Sequence, residues 1–199
     1  MKKLVLASGN PDKLRELRYL LEDLPLEVVS IMEILPDWSI EETGITLEEN
    51  ALLKARDVTE RTGEASIADD TGLFVDVLGG APGIYAARFA GSECTYEDNV
   101  RKLLRTMLCE TNRKASFRTA AAYVSPLGEE LCEMGEVEGI ILEEADGDGG
   151  FGYDPVFLPN ELYRTFARCS PEEKHRISHR ARALGRLIEK LESSKILNH

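Results

Sequence analysis

The sequence predicts an α/β fold built around a mixed β-sheet, and three observations carry that prediction. Short apolar segments alternate with helical repeats through the first half of the chain. A long hairpin pattern follows around Pro126-Leu127-Gly128, and the chain closes on a strongly capped amphipathic helix. The 199 residues suit one domain spanning 1–199, long enough to enclose a real core.

In chain order, residues 4–7 read as a buried strand and Ser8-Gly9-Asn10 as a turn. Asn10 is an N-cap and Pro11 takes the first helical position. Leu14, Leu17, Leu21 and Leu24 recur at helical spacing, so a helix covers 11–23. Residues 26–31 are β-rich. After an irregular polar stretch at 36–45, Thr46 and Glu49 form a capping box for a helix reaching Thr62, with Leu47, Ala51, Ala55 and Val58 on one face. Residues 65–68 read as a brief strand that ends at Asp69-Asp70-Thr71-Gly72. A tight loop at Gly79-Gly80-Ala81-Pro82-Gly83 precedes a helix over 95–108. The hairpin strands cover 116–125 and 130–142, and 147–155 is a glycine-rich loop. Ser170, Pro171 and Glu173 combine N-cap, N1 proline and capping box for a helix running to Ser193, with Ile177, Ala181, Leu184, Ile188 and Leu191 on its apolar face.

Composition narrows the function. A net charge of -12 lacks the basic footprint of a DNA or RNA binder, though a small anion needs only a few local cations. No apolar run approaches a membrane span, and the four apolar residues before Ser8 are too few for a signal peptide. Cys94, Cys109, Cys132 and Cys169 form no C-x-x-C pair, which favours a reduced, cytoplasmic protein.

Four constellations carry chemistry. Ser8-Gly9-Asn10-Pro11-Asp12-Lys13 joins a strand to a helix N-terminus, where free N–H groups and the helix dipole favour an anion. The same residues also suit a plain β–α turn with a surface lysine, and they are not a P-loop. Glu41-Glu42 and Asp69-Asp70 offer the hard oxygens that Mg²⁺ binds, and Asp70, expected at a strand's C-terminal end, could also orient or deprotonate a water. The competing reading is loop acids capping nearby backbone. Gly149-Gly150-Phe151-Gly152-Tyr153-Asp154-Pro155 could stack a flat ring on Phe151 and accept hydrogen bonds at Asp154, or could be a glycine turn with core aromatics. Lys174, Ser178, His179 and Arg180 place cations near the start of the last helix, where a solvated basic face is the alternative. His175 and His179, four apart with Cys169 close by, also admit a zinc site.

Seven segments together resemble the inosine triphosphate pyrophosphatase family: Leu-Ala-Ser-Gly-Asn-x-x-Lys, Glu-Glu-Thr-Gly, Glu-Asn-Ala-x-x-Lys-Ala, Ala-Asp-Asp-Thr-Gly-Leu, Leu-Gly-Gly-Ala-Pro-Gly-Ile-Tyr, Gly-Gly-Phe-Gly-Tyr-Asp-Pro and Ile-Ser-His-Arg, spread over residues 3–191. The resemblance implies an elongated mixed sheet flanked by helices, two lobes with a central nucleotide cleft, a homodimer, and Mg²⁺ as cofactor. It implies hydrolysis of ITP, dITP and XTP to the monophosphate and pyrophosphate. By the same resemblance, Ser8, Gly9, Asn10, Pro11, Asp12 and Lys13 cradle the triphosphate, Lys54 approaches the phosphates and Thr71 touches substrate. Glu41 and Asp70 serve the metal, with Asp70 the general base. Phe151, Gly152, Tyr153 and Asp154 hold the base with Lys174, His179 and Arg180, and a donor from Arg180 or His179 would meet the purine 6-oxo group. Asp146, Asp148, His175 and the Arg168-Cys169 pair depart from the family's usual residues. Rival readings are a housecleaning pyrophosphatase for modified pyrimidine or methylated nucleotides, a nucleotide sensor without turnover, and a metal-dependent phosphatase unrelated to nucleotides.

Overall fold

The computed structural model describes residues 2–22 and 24–194. Among these the strands are β1 (Lys2–Leu6), β2 (Leu26–Ser30), β3 (Ala65–Val75), β4 (Pro82–Gly83), β5 (Lys114–Val124), β6 (Glu130–Ile141) and β7 (Phe157–Pro159). The helices are α1 (Pro11–Leu20), α2 (Ile31–Ile34), α3 (Leu47–Thr62), α4 (Tyr96–Thr106), α5 (Pro171–Ile177) and α6 (His179–Ser193). The seven-stranded sheet runs β2-β1-β3-β5-β6-β7, with β4 attached to β3. Strand β1 is parallel to β2 and β3, whereas β4 pairs with β3 and β7 with β6 antiparallel. The sheet is therefore mixed, with helices against it.

The chain resolves into two compact units. One comprises Met1–Asp70, Thr119–Gly135 and Arg180–His199; the other comprises Thr71–Arg118 and Glu136–His179. In the first, side chains alternate across the sheet as the pleat requires. Leu4 and Leu6, Ile67, and Ala121 and Tyr123 pack on Leu17 of α1, on Leu21 just past its end, and on Ala183, Leu184, Leu187 and Leu191 of α6. The opposite face of the sheet is tied to α3: the Ser66 hydroxyl donates to the Ala55 carbonyl at 2.7 Å, and the Thr59 hydroxyl donates to the Val124 carbonyl at 3.2 Å. Ala51, Ala55 and Val58 are fully buried there, the stripe expected from their spacing.

The second unit has its own core of Leu73, Val75, Leu103, Met107, Val137, Ile141 and three phenylalanines. Phe117 meets Phe157 edge-on at 4.7 Å, and Phe157 stacks on Phe166 at 5.5 Å. Truncating one such fully buried ring costs about 3–5 kcal/mol.

Several boundaries differ from the sequence reading. Helix α1 ends at Leu20 with Leu21 as C-cap, so the expected last turn is absent, and position 23 lies outside the described residues. Strand β2 stops at Ser30, whose hydroxyl and Glu33 form a capping box that opens the unexpected α2. Thr46 caps α3, but Glu49 reaches back to the Ile45 N–H at 2.7 Å, so the reciprocal half of the box is shifted by one residue. Strand β3 does not stop at residue 68. It continues through both aspartates to Val75, because Leu73 and Val75 are buried and Leu73 and Phe74 pair with Gly83 and Pro82. Gly72 permits that pairing, since a Cβ there would lie 2.7 Å from the Gly83 carbonyl oxygen. The last helix is two helices, broken at Ser178, whose ψ of 151° is extended.

Candidate active site

The run of β3 through Asp69 and Asp70 decides the site. Consecutive strand residues face opposite ways, so the two carboxylates leave the sheet on different faces. Each meets the helices that cover its face. Both are buried, at 5% and 7% exposure, and a buried carboxylate persists only with partners.

Asp69 faces α1 and α6. Lys13, in the first turn of α1, places Nζ 3.0 Å from the Asp69 carboxylate and also donates to the Asp69 carbonyl at 3.1 Å. Arg180, at the start of α6, donates through Nε to Asp69 at 3.2 Å and through a terminal nitrogen to Glu16 of α1. Burial alone would raise the Asp69 carboxyl, but Lys13, Arg180 and Lys54 outweigh it and hold the group well below the usual carboxylate range. Burial opposes the charge on Arg180 too, and Asp69 with Glu16 keeps it firmly protonated. Lys13 is pulled down, first by burial, with Lys54 and Arg180 adding and Asp69 opposing.

Asp70 faces α3. Lys54 Nζ lies 2.9 Å from Asp70 and 2.7 Å from Glu42, bridging two carboxylates, while Asn50 Nδ2 donates to Asp70 at 3.3 Å. Asn50 and Lys54 are one turn apart, which aims both at the same strand position. Burial raises the Asp70 carboxyl above the ordinary aspartate value; Lys54 and Lys13 offset this in part and Glu42 adds to it. Lys54 is raised, its two acids outweighing the burial that opposes its charge. Glu42 and Asp70 are hard oxygen donors from separate segments gathered on one ammonium. That donor chemistry fits Mg²⁺, which needs one or two carboxylates plus substrate oxygens.

The second unit carries the glycine loop. Asp154, 2% exposed, accepts from the Phe151 N–H at 2.8 Å and from Lys174 Nζ at 2.7 Å. Lys174 also lies 4.5 Å from the centre of the Phe151 ring, and Tyr96 flanks that ring at 6.0 Å. Gly150 has a φ of +69°, and a Cβ on it would run into the Asp154 side chain, so the loop closes around this carboxylate only with glycine there.

The predicted residues divide accordingly. Ser8 to Asp12 form the β1–α1 turn, in which the Ser8 hydroxyl accepts from the Asn10 N–H and Asn10 Oδ1 accepts from the Asp12 N–H, with Pro11 at the first helical position. At Gly9 an added Cβ would meet only Met32, at 3.5 Å, so packing does not itself demand glycine. Lys13, Lys54, Asp70 and Arg180 lie in the first unit; Thr71, Phe151, Gly152, Tyr153, Asp154, Lys174 and His179 in the second. Tyr153 is a core residue whose hydroxyl donates to the Ala86 carbonyl at 2.9 Å. His179 is 4% exposed and stacks on Phe117 at 4.6 Å. Glu41 is exposed, and its neighbour Glu42 is the acid that reaches Lys54.

The zinc reading fails on geometry. The break at Ser178 removes the helical register between His175 and His179, and no group of three or more candidate donors is gathered among the described residues. Two departures from the resemblance explain each other: Arg168 pairs with Asp146 at 2.6 Å on the surface of the second unit. Glu16 was missed in the sequence. Its signal is an acid beside Leu17 on a helix, one turn after Lys13, at a position that proves 9% exposed.

A sequence model of the Ham1 family matches residues 4–190. A Caldanaerobacter subterraneus protein named dITP/XTP pyrophosphatase is 47% identical over 192 residues, covering 95% of this chain and 96% of its own. A Pectobacterium atrosepticum protein of the same name is 46% identical, covering 98% and 100%. The solved structure of the Staphylococcus aureus Ham1 protein matches with a TM-score of 0.87 at 40% identity, covering 98% and 100%. That of a Mycobacterium abscessus nucleoside-triphosphatase / dITP/XTP pyrophosphatase gives 0.75 at 42%, covering 93% and 98%.

Proposed function

This chain belongs to the Ham1 family, and on that premise we propose that it hydrolyses deaminated purine nucleoside triphosphates, ITP, dITP and XTP, to the monophosphate and pyrophosphate. The observation that carries the reading is the buried array of Lys13, Lys54 and Arg180 interleaved with Asp69, Asp70, Glu42 and Glu16. Such an array is costly to assemble for stability alone, and its chemistry suits a polyanion beside a base.

Water attacks the α-phosphorus, the bond from that phosphorus to the α–β bridging oxygen breaks, and pyrophosphate leaves. Asp70 takes the proton from the attacking water. Burial raises its proton affinity in the metal-free chain. Lys54 and Lys13 offset charge on the phosphoryl oxygens and the leaving group. Lys13, whose ammonium is disfavoured by burial, gains from an arriving polyanion. Glu41 and Asp70, with Glu42 adjacent on Lys54, would hold Mg²⁺, which would neutralise phosphate charge and acidify water when bound. Lys13 and Arg180, the latter itself held by Glu16, keep Asp69 ionised, and Asp69 fixes the Lys13 ammonium.

For the base, Phe151 offers a ring face, and Lys174 and Asp154 fix its loop. Selectivity follows from a fixed donor facing the purine 6-position: it pairs with the oxo group of hypoxanthine or xanthine and opposes the amino group of adenine. A site built on such pairing discriminates by about 10⁴ or more. The four thiols carry no disulfide, which supports a reducing, cytoplasmic setting; a homodimer is part of the same proposal and is read by sedimentation. The test is turnover of ITP, XTP, dITP, ATP and GTP with Mg²⁺. Pyrophosphate release confined to the deaminated purines is expected. Equal rates on all five reject the selectivity, and orthophosphate as product rejects the cleavage site.

A further inference from the structure

We infer that Asn50 is a positioning residue that sets the separation of the Glu41–Glu42 segment and Asp70 and thereby tunes the affinity of these acids for a divalent cation. The inference rests on the reading of these acids as the metal donors. Asn50 is 1% exposed and uses both ends of its amide. Its Nδ2 donates to Asp70 Oδ2 at 3.3 Å, on the face of β3 that α3 covers. Its Oδ1 accepts from the Gly44 N–H at 2.9 Å, in the loop that carries Glu42 two residues earlier. A single rigid amide therefore connects the loop that holds one acid to the carboxylate of the other.

Two further observations fit this role. A Cβ on Gly44 would come within 2.6 Å of Asn50 Oδ1 and 2.8 Å of Glu49 Cβ, and Gly44 has no left-handed φ. Glycine is thus required here by the approach of Asn50 and not by backbone conformation. The rest of the loop is tied to the same helix: the Ile45 N–H donates to Glu49, and Trp38 Nε1 donates to Asp57 at 2.7 Å. With both flanks anchored on α3, the Asn50 bridge joins Lys54 in reaching Asp70 itself. Lys54 holds Glu42 and Asp70 by charged hydrogen bonds, which a divalent cation would compete with, whereas the Asn50 amide is neutral.

The test uses the whole chain and Mn²⁺ as the probe. Free Mn²⁺ is followed by electron paramagnetic resonance, alone and with a non-hydrolysable ITP analogue, for the parent, Asn50→Ala, Gly44→Ala and the double variant. Removing a residue that orients a metal-binding carboxylate typically weakens the metal by about 10-fold to 100-fold. Each single variant is expected to weaken Mn²⁺ by about 10-fold, and the double variant to be no weaker than either, because both break one bridge. The Mg²⁺ concentration for half-maximal pyrophosphate release should rise with it, while the rate at saturating Mg²⁺ falls less. Unchanged Mn²⁺ affinity in folded single variants overturns the inference and leaves the assigned function intact, as do additive losses in the double variant. A parent protein that cleaves ITP without binding Mn²⁺ overturns the metal reading and this inference with it. Should Asn50→Ala lower the melting temperature too far for the titration, Asn50→Ser, which keeps a polar side chain too short to span Gly44 and Asp70, decides in its place.

Discussion

Replacing Lys54 with methionine keeps most of the aliphatic stem and deletes the ammonium that bridges Glu42 at 2.7 Å and Asp70 at 2.9 Å. At an effective dielectric of about 20, each contact is worth about 6 kcal/mol of attraction. Much of that is offset by the several kcal/mol needed to bury the ammonium, which the variant recovers. The net loss expected at pH 8 is about 3–5 kcal/mol, the range for stripping one partner from a buried ionic group. The loss should depend on pH in a definite direction. The Asp70 carboxyl is already raised in the folded protein, and without Lys54 it rises further. A carboxyl whose folded pKa exceeds its unfolded value opposes folding above that unfolded value and stops opposing it once pH falls below. Lys54→Met should therefore recover its lost stability progressively as pH falls from 8 toward the ordinary aspartate value, leaving a smaller loss at pH 5 than at pH 8. The assay is urea unfolding with chelator present, read by Trp38, the single tryptophan. An equal loss at both pH values, or a loss below about 1 kcal/mol at pH 8, would refute the account of Lys54 as the neutraliser of two buried acids.

Asp70→Asn should cut pyrophosphate release by at least about 100-fold; a variant with a tenth of the parent's activity would remove Asp70 as base. In the metal-free parent the buried carboxyl of Asp70 should titrate above the usual aspartate range, as infrared difference spectra against Asp70→Asn would show; a carboxyl at or below the ordinary value contradicts this. Asp154→Asn should cost about 1–3 kcal/mol, because Lys174 loses its charged partner at 2.7 Å; thermal melting and the KM for ITP report it, and no change in either speaks against the clamp. Burial, with Glu48 and Glu133 adding, pushes the Cys132 thiol up to about 11. Iodoacetamide at pH 8 should therefore label exposed Cys109 well before Cys132, as peptide mapping would show; comparable rates would contradict that environment.

The helices were legible because their signals are local. The caps at Asn10, Thr46 and Ser170 each bond the expected first-turn N–H groups, and the stripe of Ala51, Ala55 and Val58 faces the sheet. The strand through Asp69 and Asp70 was not legible, since two adjacent acids read as a turn when their partners are unknown. Those partners, Arg180 and Lys54, lie 111 and 16 residues away. The helix break at Ser178 was also hidden: Ser170 to Leu191 keeps one apolar period across it, so pattern alone draws a single helix.

Residue identity by itself determined the chemistry on offer: the mixed α/β pattern, the acids, the few cations and the glycine loop, because period and capping depend only on neighbours in the chain. The tertiary structure decided which charges face each other. It sent Asp69 to Lys13 and Arg180 and Asp70 to Lys54 and Asn50, chose Glu42 over Glu41 as the acid on Lys54, and put Glu16 behind Arg180. The physical reason is the pleat of one strand: adjacent side chains part to opposite faces, and only the packing of distant helices on those faces says what each will meet.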